Sequence, residues 1–285
     1  MSMMNRCRFT TTLSIVVCLS CTMAMANERD ATTEALNQKS YLTFGFLPME
    51  SPVALFKRFA PLRDYLSAQI QQEIRMETAK NFSEFSRRTS QRQYDIVFTA
   101  PHMALQALDG NDYDLAATFT KPLKSVFVVQ EKSSIQKLED LQGKTIATPA
   151  DQAIVTMVAK EYLESKGMED VSYSTYQTHN AAYSAVLGGE VDAAVISNFI
   201  AMMAISENAA LKIVAQSEPF PGIGILIAKN LPERRKQDIK TAIWEMTDLP
   251  QGRSVLKTVG QPGYTAAEKN QFEVLRPFVQ VTTIP

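Results

Sequence analysis

Beyond residue 21 the chain has no cysteine, since its three (Cys7, Cys18 and Cys21) all fall near the start. That absence excludes a disulfide, a thiolate metal site and a cysteine nucleophile from everything that follows. Histidine is nearly as scarce, with only His102 and His179. With no His-Glu-x-x-His run, a catalytic zinc site has too few ligands. There is no Gly-x-Ser-x-Gly nucleophile elbow. Gly143-Lys144-Thr145 ends like a P-loop, but Leu138 stands where that motif needs its first glycine. Gly222-Ile223-Gly224 lacks the third glycine of a dinucleotide fingerprint and precedes a strand rather than a helix. An excess of one charge is missing too: 29 Lys and Arg face 30 Asp and Glu, for a net charge of −1. Neither a nucleic-acid groove nor a polybasic membrane patch fits that balance. The apolar run from Leu13 to Leu19 is about half the length that spans a bilayer.

What remains is an ordinary globular composition, 45% hydrophobic and 21% charged over 285 residues, long enough for one or two domains. Arg6 and Arg8 precede the Leu13 run, and Ala24-Met25-Ala26 supplies small residues where a signal peptidase reads. Residues 1–26 are therefore expected to be a signal peptide, and the mature chain is expected in the periplasm. Leu19-Ser20-Cys21 has the end of a lipobox, but Cys18 stands where that motif wants an aliphatic residue, so simple cleavage is favoured over lipid anchoring at Cys21.

One stretch organises the rest. Tyr94-Asp95-Ile96-Val97-Phe98-Thr99-Ala100-Pro101-His102 reads as a short buried strand that turns into a helix, with proline suited to the helix's first turn. The pattern returns in Val191-Asp192-Ala193-Ala194-Val195-Ile196-Ser197-Asn198. The two are expected to be equivalent strands in two similar lobes. Strands and helices alternate on both sides: strand from Tyr41, helix from Val53 to Gln69, strand from Glu73, helix from Asn81 to Gln91, then in the second lobe strand Thr145–Thr148 and a helix closed by Gly167. Such alternation predicts α/β architecture with largely parallel sheets. Crossings are placed at Lys121-Pro122-Leu123-Lys124 and Pro219-Phe220-Pro221-Gly222. Residues 27–124 and 217–285 then form lobe 1 and residues 125–216 lobe 2, with a cleft between them. Ligands of open α/β sheets gather beyond the carboxyl ends of strands, here Pro48 to Ser51, Thr99 to His102, Thr148 to Ala153, Tyr176 to Asn180 and Ser197-Asn198.

These stretches, together with Leu138-Glu139-Asp140-Leu141-Gln142-Gly143-Lys144 and the run from His179 through Gly189-Glu190-Val191-Asp192, resemble the phosphate/phosphite/phosphonate ABC-transporter solute-binding proteins. The resemblance implies a two-lobed type II periplasmic-binding fold with two hinge crossings and an interlobe cleft. It implies a protein that is not an enzyme, uses no cofactor or metal, and works as a monomer. Such a protein captures a small, phosphate-, phosphite- or phosphonate-like anion and delivers it to a membrane permease. The alternative on the same fold is a sensory module that reports to a histidine kinase. The chain departs from the family at Asp151-Gln152-Ala153-Ile154-Val155-Thr156, where phosphonate binders place a Ser-Thr-Ser-like run. It departs again at Ile223, where aminoalkylphosphonate binders place an acid, and at Thr99, where an aromatic residue is common.

The expected ligand-binding set is Met49, Glu50, Thr99, Ala100, His102, Asp151, Gln152, Ala153, His179, Asn180, Ser197 and Asn198. His102 and His179 are expected to gain charge and grip an anion more tightly below about pH 6.5. Asp95 and Asp192 precede their strands, away from the cleft, and are read as structural. Phe119 and Phe220, beside the crossings, are candidates to line the hinge.

Overall fold

The computed structural model describes residues 40–279. The expected signal peptide and the lead-in that follows it lie outside the described residues. Tyr41–Phe46 forms β1, followed by α1 (Pro52–Ile70), β2 (Glu73–Glu77), α2 (Phe82–Ser90), β3 (Ile96–Thr99), α3 (Pro101–Asp109) and β4 (Tyr113–Phe119). The chain continues through β5 (Ser125–Gln130), β6 (Lys144–Thr148), α4 (Ile154–Ser165), β7 (Val171–Thr175), α5 (His179–Leu187), β8 (Ala193–Ser197), α6 (Asn198–Ser206) and β9 (Leu211–Gln216). It ends with β10 (Gly224–Ala228), α7 (Glu233–Trp244), α8 (Pro250–Val259), β11 (Tyr264–Thr265) and a 3₁₀ segment, Lys269–Phe278.

Two sheets result, in the orders β11-β4-β10-β3-β1-β2 and β7-β6-β8-β5-β9. With the short β11 set aside, they share one plan. In each, the first strand lies between the second and third, all parallel, and a strand arriving from the other half inserts antiparallel beside the third. The inserted strands, β10 and β5, each face an extra residue in their outer neighbours, Ala116 in β4 and Val214 in β9. Such an extra residue bends its strand and adds twist. The central strands β3, β5, β8 and β10 are buried almost throughout and read as near-continuous apolar runs, as strands covered on both faces must.

The two expected structural aspartates do the same job in each sheet. Asp95 donates its N–H to Thr43 O at 3.0 Å and accepts from Thr43 N at 2.8 Å. Asp192 donates to Thr145 O at 3.1 Å and accepts from Thr145 N at 2.9 Å. Each carboxylate thus ties the loop before the third strand to the first strand of its sheet. Beside the Asp95 clamp, Gly45 lies against the Tyr94 ring; a Cβ there would come within 2.5 Å of it, so only glycine fits.

The segments between the sheets run alongside each other. Leu123 and Phe220 exchange both backbone hydrogen bonds at 2.9 Å. Asn198 holds the first of them, its Oδ1 accepting from Lys124 N at 3.1 Å and its Nδ2 donating to Pro122 O at 3.2 Å. Near the ends the sequence reading and the structure differ. Pro250–Val259 is a helix that the reading passed over, although Pro250 opens it and Gly260, at φ 67°, closes it. After it come β11 and a 3₁₀ segment with Pro277 inside it, a residue that cannot donate to a helical ladder.

Candidate functional site

Five helices begin around one cavity between the two sheets. Its wall takes Phe82 at the start of α2, Ala100 before α3, Ala153 before α4, His179 at the start of α5 and Ser197 before α6. The first turn of a helix has N–H groups without intrahelical partners. Side chains answer some of them: Thr178 Oγ1 accepts from Ala181 N at 3.1 Å, and Ser197 Oγ from Ile200 N at 3.3 Å. At α3 and α4 the capping position is an alanine and no side chain caps the helix. One uncapped helix start therefore comes from each sheet.

Most of the remaining wall is hydrocarbon. Phe59, Phe98 and Phe119 come from the first half, and Phe199 and Ile200 from the second. Phe119 meets Phe199 edge to face, with centroids 5.2 Å apart. The cavity measures about 70 Å³, room for roughly five water-sized groups. Arg58 is the cation in its wall. Its Nη1 donates to Glu50 Oε1 at 2.5 Å and its Nε to Val259 O at 3.1 Å, so the charge is matched within the first half.

Both histidines are neutral at pH 7. Burial pushes His179 down to about 4, with the nearby Arg58 cation adding to the effect. Its Nδ1 is buried without a hydrogen-bond partner. His102 is likewise lowered to about 4 by burial, a backbone hydrogen bond with Gln152 working in the other direction. The expected gain of charge near pH 6.5 therefore does not occur in the folded chain, because both rings are out of water.

Of the expected set, Met49, Ala100, Ala153, His179 and Ser197 line the cavity. Glu50 stands behind Arg58. The others have different neighbours. Thr99 alternates to the other side of β3 and lines a depression of about 920 Å³ between α2, α3 and the 3₁₀ segment, which takes nothing from the second sheet. His102 and Gln152 join the halves: beyond the His102 bond, Gln152 Nε2 donates to Ser83 Oγ at 3.1 Å. Asp151 pairs with Lys160 at 3.1 Å and accepts from Thr175, so it caps nothing. Asn198 holds the Pro122–Lys124 segment, and Asn180 Oδ1 is buried without a partner. Phe119 does line the cavity, whereas Phe220 pairs with Leu123.

The reading missed Arg58, the phenylalanines of the wall other than Phe119, and Gly260 and Gln261 beyond α8. Phe59 carried a legible signal, helical spacing, but that spacing marks any buried face. Gly260 and Gln261 were lost with the helix before them.

The family described as ABC transporter, phosphonate, periplasmic substrate-binding protein matches residues 44–272. The chain belongs to this family. Its members are transport proteins, not enzymes, and the binding proteins of such importers work in the periplasm. Solved structures share the fold at low identity. A binding protein component of an ABC phosphonate transporter from Pseudomonas aeruginosa is 17% identical, with a TM-score of 0.73 over 85% of this chain and 86% of that one. PhnD1 from Prochlorococcus marinus, in complex with methylphosphonate, is 18% identical, with a TM-score of 0.74 over 84% and 97%. An ancestral arginine-binding protein bound to arginine is 18% identical, with a TM-score of 0.57 over 77% and 97%. The fold is the type II periplasmic-binding fold, and among the described residues no cluster of His, Cys, Asp or Glu is arranged to hold a metal.

Proposed function

We propose that this chain is exported, captures a small anionic solute in the cavity between its sheets, and delivers it to an ABC-transporter permease. In this reading residues 27–124 with 217–285 and residues 125–216 are two lobes. They close by a hinge motion at the segments near Lys121–Ser125 and Ser217–Gly222. The observation that carries it is the cavity itself: residues of both halves line it, and helix starts from both halves face it. Helix N-termini favour negative charge, and a site shared by two halves couples occupancy to closure. The methylphosphonate complex of the Prochlorococcus relative supports an oxyanion as the first class to test.

The test is the melting temperature of the mature chain against phosphate, phosphite, alkyl- and aminoalkylphosphonates, sulfate, carboxylates and amino acids, with solution scattering on any ligand found. A solute at 100 times its dissociation constant should add about 2.7 kcal/mol, a rise of roughly 5–10 °C in a chain of this size. Compaction with the bound solute is expected. No shift with any class, and no compaction, would overturn the reading.

A further inference from the structure

Side chains at and near the cavity wall leave few hydrogen-bonding groups free. The capping positions at α3 and α4 are Ala100 and Ala153. Ser197 Oγ caps its own helix, and Thr156 Oγ1 turns back to Pro149 O. Asn198 holds the Pro122–Lys124 segment, and the Arg58 charge is matched by Glu50. The cavity still offers the N–H groups of the two uncapped helix starts and His179 Nδ1, buried and unpartnered in the wall. Around them stand phenylalanines, aliphatic side chains, Gln261 and the Glu50-paired Arg58. A phosphonate or phosphate head brings three or four oxygens and up to two charges, and burying a charge without partners is costly. A carboxylate brings two oxygens and one charge, which a few N–H donors and the partial positive charge of helix starts can meet.

Within the solute-binding reading above, on which this rests, we infer that the cavity takes a small monocarboxylate whose hydrocarbon body packs against Phe98, Phe119 and Phe199 while its head meets the uncapped starts of α3 and α4 and His179. The volume limits the body to a few carbons. No amine is wanted, because Ile223 stands in the wall and Glu50 is already paired.

Titration calorimetry of the mature chain at pH 7.5 tests this with acetate, butyrate, pentanoate, 4-aminobutyrate, phosphate, methylphosphonate and propylphosphonate. Butyrate is expected to bind about tenfold or more tighter than acetate, because each buried methylene adds a factor of several. It should also bind at least tenfold tighter than phosphate, either phosphonate or 4-aminobutyrate. Phe199→Ala should shrink the gain from acetate to pentanoate, and His179→Leu should weaken all the carboxylates about tenfold while keeping that gain. A phosphorus oxyanion binding tighter than every carboxylate, or acetate equal to pentanoate, overturns the inference and leaves the solute-binding reading standing. So does a melting-temperature rise with amino acids or sulfate alone. Silence in calorimetry overturns the inference as well, and the broader panel and scattering then decide separately whether solute binding falls with it.

Discussion

The two halves use one plan with different degrees of burial. Asp95 and Asp192 make the same pair of backbone hydrogen bonds to Thr43 and Thr145, but Asp95 is buried and accepts a second bond from Thr43 Oγ1 at 2.9 Å. The Asp192 side chain is 40% exposed and lies 3.8 Å from Lys144. Each half also places a histidine in the first turn of a helix, His102 in α3 and His179 in α5; His102 is the more buried, yet desolvation lowers both to about 4. Topology sets which groups meet; the surrounding solvent sets how much the meeting is worth.

Acid should break the comparison at its strongest point. The unfolded chain takes up protons on both histidines near the ordinary 6.5, the folded chain only near 4. The stabilisation is therefore full above pH 6.5 and is lost as pH falls through the window down to 4, by up to about 3 kcal/mol for each ring. Urea midpoints at pH 7 and pH 4.5 should show the fall, and either His102→Gln or His179→Gln should remove roughly half of it. The aspartates come next. Asp95→Ala should destabilise by about 3 kcal/mol, since it strands the buried Thr43 N–H and takes a charged acceptor from the Thr43 hydroxyl, which keeps Gln93 O. Asp192→Ala, at the wetter site, should cost about 1 kcal/mol. Equal losses in chemical denaturation would contradict the role given to burial. The smallest effect sharpens the comparison: Ala100→Ser, which gives α3 the cap that Ser197 gives α6, should add about 1 kcal/mol in the same assay.

That last pair shows what the sequence could and could not convey. The duplicated Asp-strand pattern was legible because a buried strand and its tether leave a compact signature, and β3 and β8 do hold equivalent places in their sheets. Thr99 and Ala100 were both expected in the site, yet five residues after each Asp stand Ala100 and Ser197, and these two face the cavity while Thr99 does not. Strand side chains alternate, so an offset of one places Thr99 on the opposite face. The phenylalanine wall was illegible for another reason: Phe59, Phe98 and Phe199 look like core until two separate sheets are brought face to face. Arg58 gave no local sign that it would meet Glu50 and Val259, the second of which is 201 residues away.

The central claim is that the cavity shared by the two sheets is where a solute binds. Melting temperature of the mature chain and of Ala153→Phe, which fills the cavity, tests it most directly with whichever panel member shifts the parent. The expected result is a rise of roughly 5–10 °C for the parent and none for Ala153→Phe, with unchanged far-UV circular dichroism. An equal rise in both chains would place the solute elsewhere and contradict the claim.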